Sequence, residues 1–184
     1  MSRVYAFLAD GFEEVECLAV VDLLRRANVE TSLVSITGKL EVTGAHHINV
    51  KADKLFEEID YKEAEVLFLP GGMPGTKTLS EHKGLKEALL YFHENNKRLA
   101  AICAAPSVLG QLGILNGKRA TSFPGFEEML LGAEVVEDSI VVDGNILTGK
   151  GMGIVIEFGL ELIKLLVDEK TALDIKKSIQ YNRS

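Results

Sequence analysis

Two thiols, four imidazoles and a run of carboxylates are the groups in this chain able to do covalent or acid–base chemistry. Cys103 stands out by its neighbours. Residues 99–102, Leu-Ala-Ala-Ile, read as a strand, and Ala105-Pro-Ser-Val-Leu-Gly opens a helix with Pro106 in its first turn, where a missing N–H costs nothing. Cys103 therefore falls on the turn between them, with Ala101 and Ala105 two residues to either side. Hydrolase nucleophile elbows need small residues at those positions because the turn is too tight for larger side chains. Such a turn presents the sulfur at a helix N-terminus, where partial positive charge favours the thiolate. Most free cysteines are simply small buried hydrophobes, and Cys17, inside a helical pattern with no such turn, reads that way. At Cys103 spacing and context favour the nucleophile.

Pro70-Gly71-Gly72 follows a buried strand directly. Paired glycines let backbone N–H groups approach a ligand and can form an anion-binding nest, here facing Cys103. Gly-Gly turns also arise for steric reasons alone, so this signal gains weight only from the cysteine beside it. It is not a Walker loop, because no Gly-Lys-Ser/Thr follows. Asp10-Gly-Phe-Glu-Glu-Val-Glu16 opens the first helix. Glu13 and Glu14 suit the helix dipole and need no further role. Glu16 lies near the apolar stripe of Val15, Leu18 and Ala19. A carboxyl pointing inward there is desolvated, is raised in pKa, and can donate a hydrogen bond to a sulfur. An ionised Glu16 would oppose a low thiol pKa, so the expectation is a protonated Glu16 bonded to a thiolate, the two titrating as a coupled pair. The histidines offer less. His46 and His47 are adjacent and point to opposite faces if extended, while His82 and His93 lie in polar helical surroundings. No spacing resembles a zinc site, and no residue pattern requires a metal, nucleotide or flavin, so no cofactor is expected.

The elements that must hold these groups alternate. Strands are expected at 4–9, 31–36, 66–69, 99–103, 120–122, 140–142 and 146–148, several as continuous apolar runs suited to central parallel strands. Helical periodicity marks 14–27, 85–94 and 154–167, with a weaker, charged helix at 169–181. Asp143-Gly144 gives a hairpin turn between 140–142 and 146–148, and a second hairpin is expected around 37–49. The alternation argues for βαβ units in an α/β sandwich, a mostly parallel sheet with helices on both faces and hairpin additions. Ligands bind outside the carboxyl ends of strands in such sheets, where all three loops sit.

The chain has 184 residues, 47% hydrophobic and 26% charged, with a net charge of −7. That length can bury about 70% of its unfolded surface without disulfide or metal staples. The composition excludes disordered and collagenous classes. With no basic stripe, a nucleic-acid partner is not expected, and no apolar run is long enough for a membrane. No linker or repeat divides residues 1–184, which read as one domain. The absence of a leader-like N-terminus points to the cytoplasm, with Cys17 and Cys103 as free thiols.

These residues carry a resemblance. Ala9-Asp-Gly-Phe-Glu-Glu-Val-Glu16, Leu69-Pro-Gly-Gly72, Ala100-Ala-Ile-Cys-Ala-Ala-Pro106 and Asp143-Gly-Asn-Ile-Leu-Thr148 resemble the ThiJ/PfpI superfamily. Within it, the likeness is to the subgroup of the Parkinsonism-associated deglycase and its bacterial chaperone-like relatives. The resemblance implies a flavodoxin-like α/β sandwich, a homodimer, an active-site Cys103 and a protonated Glu16 bonded to it. Gly71, Gly72 and Ala104 would supply backbone N–H groups. It also implies cofactor-independent chemistry on a small aldehyde substrate, methylglyoxal to lactate, with deglycation, chaperone action and oxidation of the same cysteine as the other family activities. Two departures stand out. Animal members have histidine before proline where this chain has Phe123-Pro124, which removes one proton shuttle. The peptidase branch has histidine directly after its cysteine, where Ala104 stands here.

Overall fold

A computed structural model describes residues 2–182. Its centre is a seven-stranded sheet. The strands are β1 (Arg3–Leu8), β2 (Glu30–Ser35), β5 (Lys54–Leu55), β6 (Val66–Leu69), β7 (Arg98–Ile102), β10 (Ile140–Asp143) and β11 (Ile146–Gly149). Their order is β10-β11-β7-β6-β1-β2-β5, parallel except for the β10–β11 hairpin turned at Asp143-Gly144. Two further pairs stand apart, β3 (Glu41–Thr43) with β4 (Asn49–Lys51), and β8 (Arg119–Ala120) with β9 (Glu134–Val135). The helices are α1 (Glu14–Arg26), α2 (Gly75–Glu81), α3 (Lys83–Glu94), α4 (Pro106–Gln111), α5 (Val155–Leu166) and α6 (Glu169–Ser178).

Alternation along β1 shows how the layers form. Val4, Ala6 and Leu8 enter one core with α1 and α5, while Tyr5, Phe7 and Ala9 enter the other with α3 and α4. Both faces of the strand are therefore apolar, which is why its sequence reads as an unbroken hydrophobic run. The architecture is the flavodoxin-like sandwich. From β1 the chain winds outward to β2 and β5, then returns to β1's other side as β6. The strand order reverses between β1 and β6, and a crevice opens at their carboxyl ends. Glu13 N–H donates to the Gly71 carbonyl across that gap at 2.8 Å.

Two expectations differ from what is observed. The strand expected at 120–122 shrinks to β8 and leaves the main sheet. Thr121 N–H donates to the Thr148 hydroxyl at 3.1 Å and Phe123 N–H to the Cys103 carbonyl at 2.8 Å, so this backbone serves the loops above β7 and β11. The hairpin expected around 37–49 narrows to β3–β4, with 44–48 as its turn. Helix α2 and strand β5 were not expected, being too short for a clear period.

Candidate active site

Cys103 has φ +63°, the left-handed conformation that side chains other than glycine and asparagine rarely adopt. This is the tight strand-to-helix turn expected from Ala101, Ala105 and Pro106. The neighbouring strands are in register here. Gly149 pairs with Ile102, and Leu69 with Ala101, so the ends of β11 and β6 flank the elbow.

Glu16 reaches the same point from α1. Its helix begins with Glu13 as cap, whose carboxylate accepts the Glu16 N–H at 2.6 Å. Glu16 itself is 1% exposed and shares a side-chain hydrogen bond with the Cys103 thiol. Burial pushes its carboxyl up to about 7; the Glu13 charge adds to this, while bonds from Cys103 and the Gly71 and Met152 amides oppose it. The raised carboxyl expected from its place on the apolar stripe is therefore present. The expected lowering of the thiol is not. Burial first, then the charge and hydrogen bond of Glu16, push Cys103 up to about 12 against the pull of the Ala104 and Gly72 amides. One amide at the head of the six-residue α4 and one from the loop after β6 do not offset a desolvated sulfur beside a carboxylate. The two groups form one coupled pair that loses its first proton near neutral pH and keeps the second far above it.

Of the three amides expected to serve an oxyanion, two face the sulfur: those of Gly72 and Ala104. Gly71 is different. Its N–H donates to Glu16 Oε2 at 3.0 Å, so it positions the acid. A Cβ at Gly71 would stand 2.5 Å from Cys103 Cβ and 2.6 Å from Glu16 Oε2, so only glycine fits there. Gly72 has φ +92° and backs onto the Glu13 amide.

A fourth wall escaped the sequence reading. The loop after β11 brings Gly151 and Met152 over the pair, Met152 bonding Glu16 through its amide. A Cβ on Gly151 would lie 3.7 Å from Glu16 Oε1 and 3.8 Å from Cys103 Sγ. The available signal was Gly149-Lys-Gly151 at the carboxyl end of a strand, the same device as Pro70-Gly71-Gly72.

Glu14 also has more to do than its helix-dipole role. It is 2% exposed and accepts from His46 N–H at 2.7 Å, from the His46 ring at 2.8 Å and from Ile48 N–H at 3.4 Å. Burial pushes its carboxyl up, but these bonds outweigh that and hold it below the usual range. Glu13, Glu14 and His46 thus come together, Glu14 and His46 through these hydrogen bonds and Glu13 through its place at the head of α1, 3.8 Å from the His46 ring. Cys17 is fully buried in the core, its thiol raised by that burial.

Fold and site together define an α/β protein with a cysteine elbow and a buried acid at the topological switch of a parallel sheet. The chain belongs to the DJ-1/PfpI family, whose pattern matches residues 2–165. It is 32% identical over 172 residues to protein DJ-1 homolog B of Arabidopsis thaliana, covering 93% of this chain and 39% of that one. The chain spans 39% and 44% of the lengths of the two plant homologues it matches. A protein named deglycase from Pyrococcus abyssi is 34% identical over 166 residues, with coverage of 89% and 99%. Among solved structures, oxidized DJ-1 of Toxoplasma gondii superposes with a TM-score of 0.95 at 31% identity, covering 100% of both chains.

Proposed function

We propose that this protein is a cysteine-dependent, cofactor-independent enzyme acting on small reactive aldehydes, converting methylglyoxal to lactate in the manner of a glyoxalase III or deglycase. The observation that carries this reading is the hydrogen-bonded pair of Cys103 on a left-handed elbow and a buried Glu16 that ionises near neutral pH. Relatives named deglycase support it at the level of the family.

Sulfur adds to the aldehyde carbon as its proton passes to Glu16, giving a hemithioacetal whose oxygen the Gly72 and Ala104 amides hold. After that oxygen takes a proton, the Glu16 carboxylate removes the C–H proton of the former aldehyde carbon. The resulting enediol is reprotonated at the adjacent carbon, leaving a thioester of lactate. Water hydrolyses the thioester and the thiol is restored. The aldehyde carbon is oxidised and the ketone carbon reduced within one molecule, so no external oxidant or reductant enters. The test is purified protein with methylglyoxal and a lactate readout, with Cys103→Ser alongside. Lactate formation that disappears in the variant supports the reading; equal lactate from both refutes it.

A second reading is a redox sensor in which the same sulfur is oxidised to sulfinate. The amides aimed at Cys103 and the Glu16 carboxyl would hold its oxygens. Selective peroxide oxidation of Cys103 without aldehyde turnover would favour it. We also propose a cytoplasmic homodimer. Val15 on α1 and Ile48 in the loop beside it, 47% and 54% exposed, are the apolar residues we propose for its interface. Light scattering giving the mass of one chain, 20.1 kDa, at micromolar concentration would exclude the dimer.

A further inference from the structure

We infer that the space beside Cys103 contains an apolar subsite selecting 2-oxoaldehydes that carry an aryl or bulky alkyl group over methylglyoxal itself. The inference deepens the enzyme reading above and rests on it for the identity of the reacting group. It begins at Gly151. A carbon placed where a side chain would start there lies 3.3 Å from Phe123 Cδ2, 3.7 Å from Glu16 Oε1 and 3.8 Å from Cys103 Sγ. A single carbon-sized position thus touches the acid, the sulfur and an aromatic ring. Because Gly151 has no side chain, nothing of its own stands between the ring and the pair, and a molecule on the sulfur can reach the Phe123 ring.

The ring is held there by backbone. Phe123 N–H donates to the carbonyl of Cys103, so the residue is hung from the elbow itself. Beside this point lies an open cleft of about 390 Å³ whose walls are Phe123, Pro124, Met152 and Ile154 with Gly151 and Gly153, and whose polar members are Ser139 and Lys150. A water molecule occupies about 30 Å³ in the liquid, so the cavity exceeds one such volume by an order of magnitude. Methylglyoxal would leave most of it filled with solvent. Phe123 and Met152 are 48% and 53% exposed, large apolar groups at the mouth of a polar pair. The cation on this rim, Lys150, is bound to Glu137 at 2.7 Å. The surface a substituent meets is therefore mostly aromatic and aliphatic, with Ser139 and the Glu137-paired Lys150 at its polar side. An aryl group on the ketone carbon would cover both side chains and stack on the ring.

Two measurements test this. The first compares kcat/KM for phenylglyoxal and methylglyoxal in the wild type, Phe123→Ala and Met152→Ala, with mandelate and lactate as products. The second needs no turnover: the rates at which bromoacetophenone and bromoacetone alkylate Cys103, divided by the same ratio for N-acetylcysteine. In the wild type both ratios should favour the aryl compound by on the order of tenfold or more, as one added apolar group in a fitted pocket does. Phe123→Ala should bring both ratios close to one. An alkylation preference without any aldehyde turnover would leave the subsite standing and remove the enzyme reading. Turnover with no aryl preference in either ratio, or a preference unchanged in both variants, would overturn the subsite.

Discussion

Cys103 and Glu16 cannot be treated as separate acids. Burial raises both, and each changes the energy of ionising the other, so what titrates near neutral pH is a pair carrying one negative charge. The alkylation rate of Cys103 should therefore rise with an inflection near pH 7 in the wild type. In Glu16→Gln no group remains to accept the thiol proton, and the rise should move to higher pH. An inflection kept near 7 in that variant would remove Glu16 from the pair. Gly71 makes the complementary point. Its place in the site was legible from Pro70-Gly71-Gly72, but the direction of its N–H was not, because only the fold brings Glu16 to it. Gly71→Ala should slow Cys103 alkylation at least tenfold while Gly38→Ala, at a turn with open space, leaves it unchanged. Equal rates in all three proteins would show that the close approach at Gly71 is not needed.

At the scale of elements, the loop between β3 and β4 is fastened to the start of α1 by Glu14. One buried carboxylate satisfies two backbone N–H groups and an imidazole, and Glu14→Ala would leave those amides without a partner. The expected cost is about 2–3 kcal/mol in denaturant unfolding, with faster amide exchange at residues 46–48. A change below about 0.5 kcal/mol would mean that the loop is held elsewhere. Much of the element plan was legible because β1, β6 and β7 are buried on both faces and α1, α3 and α5 keep a clean helical period. The short pieces were not. β5 has two residues and α2 seven, and both are fixed by neighbours distant in sequence. The Gly151–Met152 wall was missed for the same reason: a glycine loop becomes part of a site only when β11 pairs with β7. Of the strand expected at 120–122 only Ala120 stays in a strand, β8, because tertiary bonds from Thr121 to Thr148 and from Phe123 to Cys103 claim the backbone that follows.

For the whole molecule, a carboxyl raised to about 7 is a statement about folding. An unfolded Glu16 ionises near 4.5, so from about pH 4.5 to 7 the unfolded chain releases a proton that the folded chain keeps. Stability from this group is complete below 4.5 and is lost as pH climbs through 7, a difference of about 3 kcal/mol. Glu16→Gln has no charge to bury. Its unfolding free energy should gain on the wild type progressively between pH 4.5 and 8, followed by denaturant titration at each pH. Parallel curves for the two proteins would show that Glu16 is not buried as an ionisable group.

The left-handed backbone at Cys103 bears on how such a sequence persists. A side chain other than glycine or asparagine in that conformation costs on the order of 1–2 kcal/mol, and only the packing of one small, partly buried side chain against the core stands against that cost. Fold stability and sulfur chemistry therefore pull in opposite directions at one codon. If every residue at position 103 were sampled and the resulting proteins sorted for heat resistance alone, glycine and asparagine should rise and cysteine should fall. The same library sorted for thiol reactivity should return cysteine. Lineages in which the chemistry ceased to matter would be expected to drift away from cysteine at this position before the surrounding core changed.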